Sequence, residues 1–212
     1  MTSDVPPLVP PRWLGPVDDL DDTPARILLA AAGLFGEHSP SAVSLRSIAA
    51  RAGVNYGLIH HYFKTKEAIL AELLRRASAT GAASIADTKT IDEALDRLVL
   101  SDAARNYTNM LAWAMLDETD PRRLVAPSAA MTYLSAVIER QLLDNGVTGT
   151  DPKIATAMLV SAVLGWRFFR PFITVGAQLD DRDEQQVAAD VRAAIQSAAR
   201  RMAGDEAAPG EA

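Results

Sequence analysis

The chain has 212 residues, 49% of them apolar and 23% charged, with a formal net charge of −6; this is the composition of a soluble globular protein of one large domain or two smaller ones. It holds no cysteine, which excludes disulfides, zinc–thiolate sites and thiol catalysis and agrees with a reducing, cytoplasmic setting. The acidic total argues against a nucleic-acid partner, but its distribution does not: residues 1–23 sum to −4, residues 24–80 to +4 and residues 81–212 to −6, a basic segment on an acidic body.

In chain order, residues 1–22 read as a disordered arm, from five prolines and the run Asp18-Asp19-Leu20-Asp21-Asp22. Arg12 and Trp13 could reach a DNA groove, although the neighbouring acids oppose it. An early acid and four prolines stand where a signal peptide would carry a basic region and an apolar core. The longest uncharged apolar run, Ile154 to Trp166, is 13 residues, too short to span a bilayer. No membrane partner is expected.

From residue 23 onward the long segments carry helical period and none alternates as a strand does, so the expected class is all-α. Thr23 is placed as N-cap with Pro24 at the first helical position. Ile27, Ala31, Leu34 and Phe35 form one stripe, and His38 stands at the helix end. Ser44 caps a second helix with Leu45, Ile48, Ala49 and Ala52 inward. Gly53 ends it after two turns by supplying the positive φ that other residues resist. Asn55 caps a third short helix to about Phe63, and Thr65 a fourth with Ile69, Leu70, Leu73, Leu74 and Ala77 inward. Residues 81–90 read as a linker. Helices follow over about 91–102, 103–118, 127–144, 152–177 and 183–202, nine in all.

The second and third helices form a helix–turn–helix on spacing alone, with Ile48, Ala52, Val54, Ile59 and Tyr62 at inward positions. With Ile59 inward, Gly57, His60 and His61 lie opposite, flanked by Tyr56 and Leu58. Glycine, two imidazoles, a phenol and a leucine suit a DNA major groove better than bulk water: glycine permits close approach, histidine and tyrosine donate hydrogen bonds, and leucine can touch a thymine methyl. Ser44, Lys64 and Lys66 stand near helix starts, which favour phosphate. Adjacent histidines point about 100° apart on a helix and cannot ligate one metal as an i, i+4 pair can; no metal is expected. A purely structural helix–turn–helix is the alternative, disfavoured by the local +4 charge.

The segment "TPARILLAAAGLF…SLRSIAARAGVNYGLIHHYFKTKEAIL" resembles the N-terminal DNA-binding segment of TetR-family transcriptional regulators. The likeness is carried by Ala31 to Phe35, Ser44 to Val54, Gly57 to Phe63 and Lys64-Thr65-Lys66-Glu67. It implies a three-helix DNA-binding domain, with a fourth helix leading to a larger all-α ligand-binding and dimerisation domain. By matching positions it makes Ser44, Arg46, Tyr56, Gly57, His61, Tyr62 and Lys66 DNA contacts; Asn55, Leu58, His60 and Lys64 complete the expected face. Two positions depart from the family pattern: Leu58 replaces a frequent hydroxyl residue and His60 a frequent tyrosine. The expected domains are 1–22 (arm), 23–80 (DNA binding), 81–203 (ligand binding and dimerisation) and 204–212 (disordered tail).

The C-terminal part matches no motif. Ala157, Ser161 and Gly165 form a small-residue stripe that lets a second helix approach. Val187, Val191, Ala194, Ala198 and Met202 form a narrow apolar seam on the last helix. Together they suit a homodimer interface; intrachain packing is the alternative. Dimerisation would place two recognition helices about 34–36 Å apart on a palindromic operator. In "GWRFFRPFI", Pro171 is expected to kink or end its helix. Trp166, Phe169 and Ile173, with Tyr107, Met110, Leu111, Trp113, Ala114, Met131 and Tyr133, could line a pocket for a small apolar effector; ordinary core is the other reading of each. Arg170, with Arg167, could meet an anionic group at the pocket mouth or form a surface ion pair. No nucleophile–base pair or phosphate-cradling loop is found, so neither an enzyme nor a cofactor is expected. The reading is a ligand-responsive regulator, a repressor, released by its effector; the alternatives are a dimeric DNA-binding protein without small-molecule control and a helical enzyme.

Overall fold

The computed structural model describes Leu14 and residues 22–98, 103–116, 120–124 and 127–205. Every helix expected from residue 23 onward is found and no strand occurs among these residues. The expectations for Arg12, Trp13 and the tail from 206 lie outside them. Leu14, inside the predicted disordered arm, is buried.

Two compact units are formed, residues 1–80 with 105–128, and residues 81–104 with 129–212. The segment 105–128, assigned from sequence to the second domain, groups with the first unit. In that unit α1 is Thr23–Glu37, α2 Leu45–Ala52, α3 Tyr56–Tyr62, and α4 Lys66–Ser84 begins there; α6 is Ala103–Leu116 and α7 Pro121–Leu124. Its core is apolar and fully enclosed: Ile27, Leu28 and Phe35 from α1, Ile48 from α2, Ile59 from α3, and Ile69, Leu73 and Leu74 from α4. Helices this short are not stable alone; burial of one apolar stripe from each holds the group together.

Local chemistry fixes the ends. Ser44 accepts from the Ser47 N–H at 3.0 Å while the Ser47 hydroxyl accepts from the Ser44 N–H at 3.1 Å, a reciprocal capping box at the start of α2. Gly53 leaves α2 at φ 63°, and a Cβ there would stand 2.8 Å from Nη2 of Arg26. Asn55 caps α3 by accepting from the Gly57 N–H at 2.8 Å, and Thr65 accepts from the Ala68 N–H at the start of α4.

In the second unit α5 is Ile91–Leu98, α8 Ala129–Asp144, α9 Pro152–Gly176 and α10 Glu184–Met202. Their core joins Ile91, Ala94 and Leu95 of α5, Leu134, Val137, Ile138 and Leu142 of α8, Ala155 and Leu159 of α9, and Ala199 of α10. The buried Gln141 side chain accepts from the Ile91 N–H at 2.8 Å, which satisfies an orphan donor at the start of α5.

Several sequence expectations are corrected. The cap of α1 is Asp22, not Thr23, and it makes no side-chain bond. Residues 81–84 of the predicted linker are helical, because α4 runs on to bury Ala82, with Ile85 buried just beyond it. The 3-10 turn Pro40–Ala42 and the single turn α7 were not foreseen. Pro171 does not end α9, which continues to Gly176; the helix absorbs one missing donor. By length and composition alone the 25-residue α9 is long and apolar enough to cross a membrane, a test that the core helix of a soluble protein also passes.

Candidate nucleic-acid interface

Helix α3 has one anchor. Ile59 is fully buried, whereas Tyr56, Gly57, Leu58, His60, His61 and Tyr62 are all exposed. Tyr62, expected inward, is 45% exposed and lies edge-on to His61 with ring centroids 4.8 Å apart. Ile48, Ala49, Ala52 and Ile59 are buried without it. A helix that keeps one residue of seven and turns aromatics, imidazoles and a glycine outward has the chemistry of a surface that docks.

The outward groups are organised. The Tyr56 hydroxyl and Nε2 of His60 are 3.0 Å apart, with their rings edge-on at 5.0 Å. The Arg46 guanidinium, from the first turn of α2, lies 6.0 Å from the Tyr56 ring centroid. Arg46, Tyr56 and His60 thus form one array across both helices of the motif. Ser44 is exposed, but its oxygen already serves the α2 cap, and Asn55 likewise serves α3.

The basic residues of 24–80 divide into inward and outward sets. Arg26 donates to the carbonyls of Ala52 at 2.7 Å and Gly53 at 3.2 Å, where the negative end of the α2 dipole favours a cation. Lys66, expected at the phosphate surface, is half-buried and donates to Pro40 O and, at 3.1 Å, to Val43 O. Arg75 and Arg76 both hold Glu72, at 2.7 Å; the hydrogen bond from Arg75 is the largest influence keeping the Glu72 carboxyl below its usual range. Arg51 lies 3.9 Å from Glu37. Arg46 and Lys64 remain exposed, and neither has an ion-pair partner among the described residues. The +4 of the sequence therefore overstates the charge this surface presents. Lys64 also carries φ 64°, a left-handed conformation that costs a residue with a Cβ roughly 1 kcal/mol.

The family model for bacterial regulatory proteins of the tetR family matches residues 27–73. Over 180 residues the chain is 31% identical to the HTH-type transcriptional repressor Rv3405c of Mycobacterium tuberculosis, covering 82% of this chain and 88% of that protein. The HTH-type transcriptional regulator Mb3439c of Mycobacterium bovis matches to the same extent. The chain belongs to the TetR family of transcriptional regulators. A crystal structure from Rhodococcus sp. RHA1, of a protein assigned as a transcriptional regulator, shares the fold: its TM-score is 0.58 at 18% identity, covering 87% of this chain and all of that one.

Within this TetR-family chain the expected effector residues separate. Met110 and Ala114 are buried on α6, and Tyr107 and Leu111 half-buried; burial pushes the Tyr107 phenol above its usual pKa. Trp113, Met131, Tyr133 and Phe169 are exposed, and Trp166 and Ile173 are half-buried. Arg170 is not a free cation at a pocket mouth: it binds the Glu184 carboxylate at 2.7 Å and the Glu184 carbonyl at 3.0 Å, and stands over the Trp166 ring at 5.8 Å. Sequence period shows which residues share a face, but not which of two apolar faces turns inward.

The expected dimer residues also separate. Ala157 and Ser161 are exposed, and a Cβ at Gly165 would meet nothing within 4 Å. On α10, Ala194 is exposed and Val191 and Ala198 half-buried, but Val187 is buried and Met202 packs on the core of its own unit. The α10 seam is therefore spent partly inside the chain. Sequence reasoning had missed the larger feature. At about 100° per residue, Ile154, Met158, Phe168, Phe169, Phe172 and Val175 fall on the same side of α9 as the small-residue stripe, and all six are exposed, Phe172 to 77%. Ala155, Thr156, Leu159 and Val163 are buried on the other side.

Proposed function

We propose that this TetR-family regulator acts as a cytoplasmic homodimeric repressor on a palindromic operator and is released by a small apolar effector. The observation that carries the DNA-binding part is the exposure of both imidazoles, both tyrosines and Gly57 of α3 around the single anchor Ile59. In this reading Tyr56, His61 and Leu58 meet base edges in the major groove, while Tyr62, Ser44, Asn55 and Lys64 hold phosphate.

The uncovered side of α9 supports the homodimer. It is apolar along its length, and a contiguous patch of that kind on a soluble chain marks a contact surface. A second copy of α9, admitted closely by Ala157, Ser161 and Gly165, covers it symmetrically. The membrane alternative accounts less well for the opposite side, which is packed on the core of its own unit. Effector control rests on the side of α6 that carries the buried Met110 and Ala114 and the half-buried Tyr107. The outward placement of Met131, Tyr133 and Phe169 favours a second reading, a dimeric regulator without small-molecule control. Sedimentation with a duplex recovered by binding-site selection tests the proposal: two protomers per palindrome are expected, and one protomer on a non-repeated site would overturn it.

A further inference from the structure

We propose that His60 is a positioning residue that acts through Tyr56: its hydrogen bond sets whether the Tyr56 hydroxyl offers a base a donor or only an acceptor, so that base preference at this one position follows pH. The proposal rests on the DNA-binding reading of α3 above.

The first ground is that Tyr56 is held. It is the first residue of α3 and 40% exposed, a setting in which a tyrosine ordinarily keeps its rotamer freedom. Here the Arg46 guanidinium stands over its ring from α2, 6.0 Å from the centroid. One turn further along α3 the exposed His60 ring meets it edge-on at 5.0 Å. Nε2 of His60 lies 3.0 Å from the phenol oxygen. The hydroxyl is therefore fixed before a base arrives, which lowers the ordering cost of docking.

The second ground is the proton count. A phenol hydroxyl has one proton to donate and lone pairs with which to accept. When Nε2 carries no proton it accepts from the Tyr56 O–H, and the hydroxyl has only lone pairs left for a base. When Nε2 carries a proton it donates to the phenol oxygen, and the Tyr56 O–H is free to donate. Neutral imidazole permits both arrangements; imidazolium has a proton on each nitrogen and permits only the second. In acid the hydroxyl is thus turned toward bases that present acceptors in the major groove, such as N7 and O6 of guanine or O4 of thymine. It loses the arrangement that accepts from the amino group of cytosine.

The surroundings leave this proton to the pair. Helices α1 and α2 pack against α3. On α1, Arg26 is bound to the Ala52 and Gly53 carbonyls, and Glu37, the one acid of that helix, lies beside Arg51 and His38. Helix α2 contains no acid and contributes Arg51 and the Arg46 already placed on Tyr56. On α3 itself His61 meets Tyr62. Among the described residues no carboxylate is ion-paired with His60.

The test is binding-site selection from random-sequence duplexes by full-length protein at about pH 8 and about pH 5.5, a span in which histidine changes charge. Wild type, Tyr56→Phe, His60→Phe and His60→Gln are compared. The position concerned is the one that Tyr56→Phe relaxes, which separates it from any response of His61. There the wild-type preference is expected to move toward guanine and thymine in acid, by about tenfold against cytosine, the worth of one hydrogen bond. His60→Phe loses the shift. His60→Gln can hold the hydroxyl as donor or acceptor but takes up no proton, and its preference there is the same at both pH values. A wild-type preference that does not move, a shift that persists in His60→Gln, or a Tyr56→Phe variant that relaxes no position overturns the proposal while leaving DNA binding intact. A wild type that selects no sequence at either pH sinks the DNA-binding reading itself.

Discussion

Ile59 is the residue on which the DNA-binding face depends. It is the single fully buried side chain of α3, so Ile59→Ala removes the anchor and leaves a cavity beneath the helix. The expected cost is about 2–4 kcal/mol in chemical denaturation, with DNA binding lost at temperatures where α1 and α4 persist. A variant that binds duplex normally would show that α3 is held by something else. Glu72 gives a prediction with a pH sign. Its carboxyl is held below the usual range, first by the Arg75 hydrogen bond and also by Arg76. A depressed folded pKa adds stability above the unfolded value near 4.5 that disappears as pH falls through the folded one. Glu72→Gln should therefore melt earlier than wild type at neutral pH and converge with it under acid; a gap independent of pH would assign the effect to packing. At this scale the caps and the turn were legible, since Ser44, Gly53 and Asn55 act within a few residues of themselves. The inward turn of Lys66 and the outward turn of Tyr62 were not. Each depends on a partner distant in sequence or on how much of a small core is already filled.

At the scale of elements, period and punctuation place the helices, because each buries one stripe and ends at a glycine, proline or capping residue. They miss Pro40–Ala42 and Pro121–Leu124, which are too short to show a period, and they end α4 too early at the alanines near residue 81. Helix α9 illustrates the remaining limit. Both of its sides are apolar, so pattern alone could not say which one the chain keeps for itself. Coordinates place Leu159 and Val163 inward and Ile154, Met158 and Phe172 outward. If a second copy covers the outward side, Phe172→Asp combined with Met158→Asp buries charge at the interface. Sedimentation should then show monomers with unchanged helical content, whereas a dimer that survives both substitutions would move the interface elsewhere, α10 first among the candidates.

At the scale of the molecule, the acidic total and the basic segment 24–80 belong to different tasks. After the inward cations are subtracted, the DNA side carries Arg46 and Lys64 as open charges, helped by the helix start of α2. Binding should then depend on salt only moderately, and specificity must come from Tyr56, His61 and their neighbours rather than from bulk charge. Effector control, where it operates, obliges operator and effector to weaken each other by the same factor. The measurement that bears most directly on the whole account is binding-site selection from random duplexes, by wild type and by Tyr56→Ala and His61→Ala. The account predicts a two-fold repeated site for wild type and relaxed preference at matching positions in both halves for each variant, worth about 1–3 kcal/mol of discrimination per base pair. Variants that recover the same site with undiminished preference would contradict it.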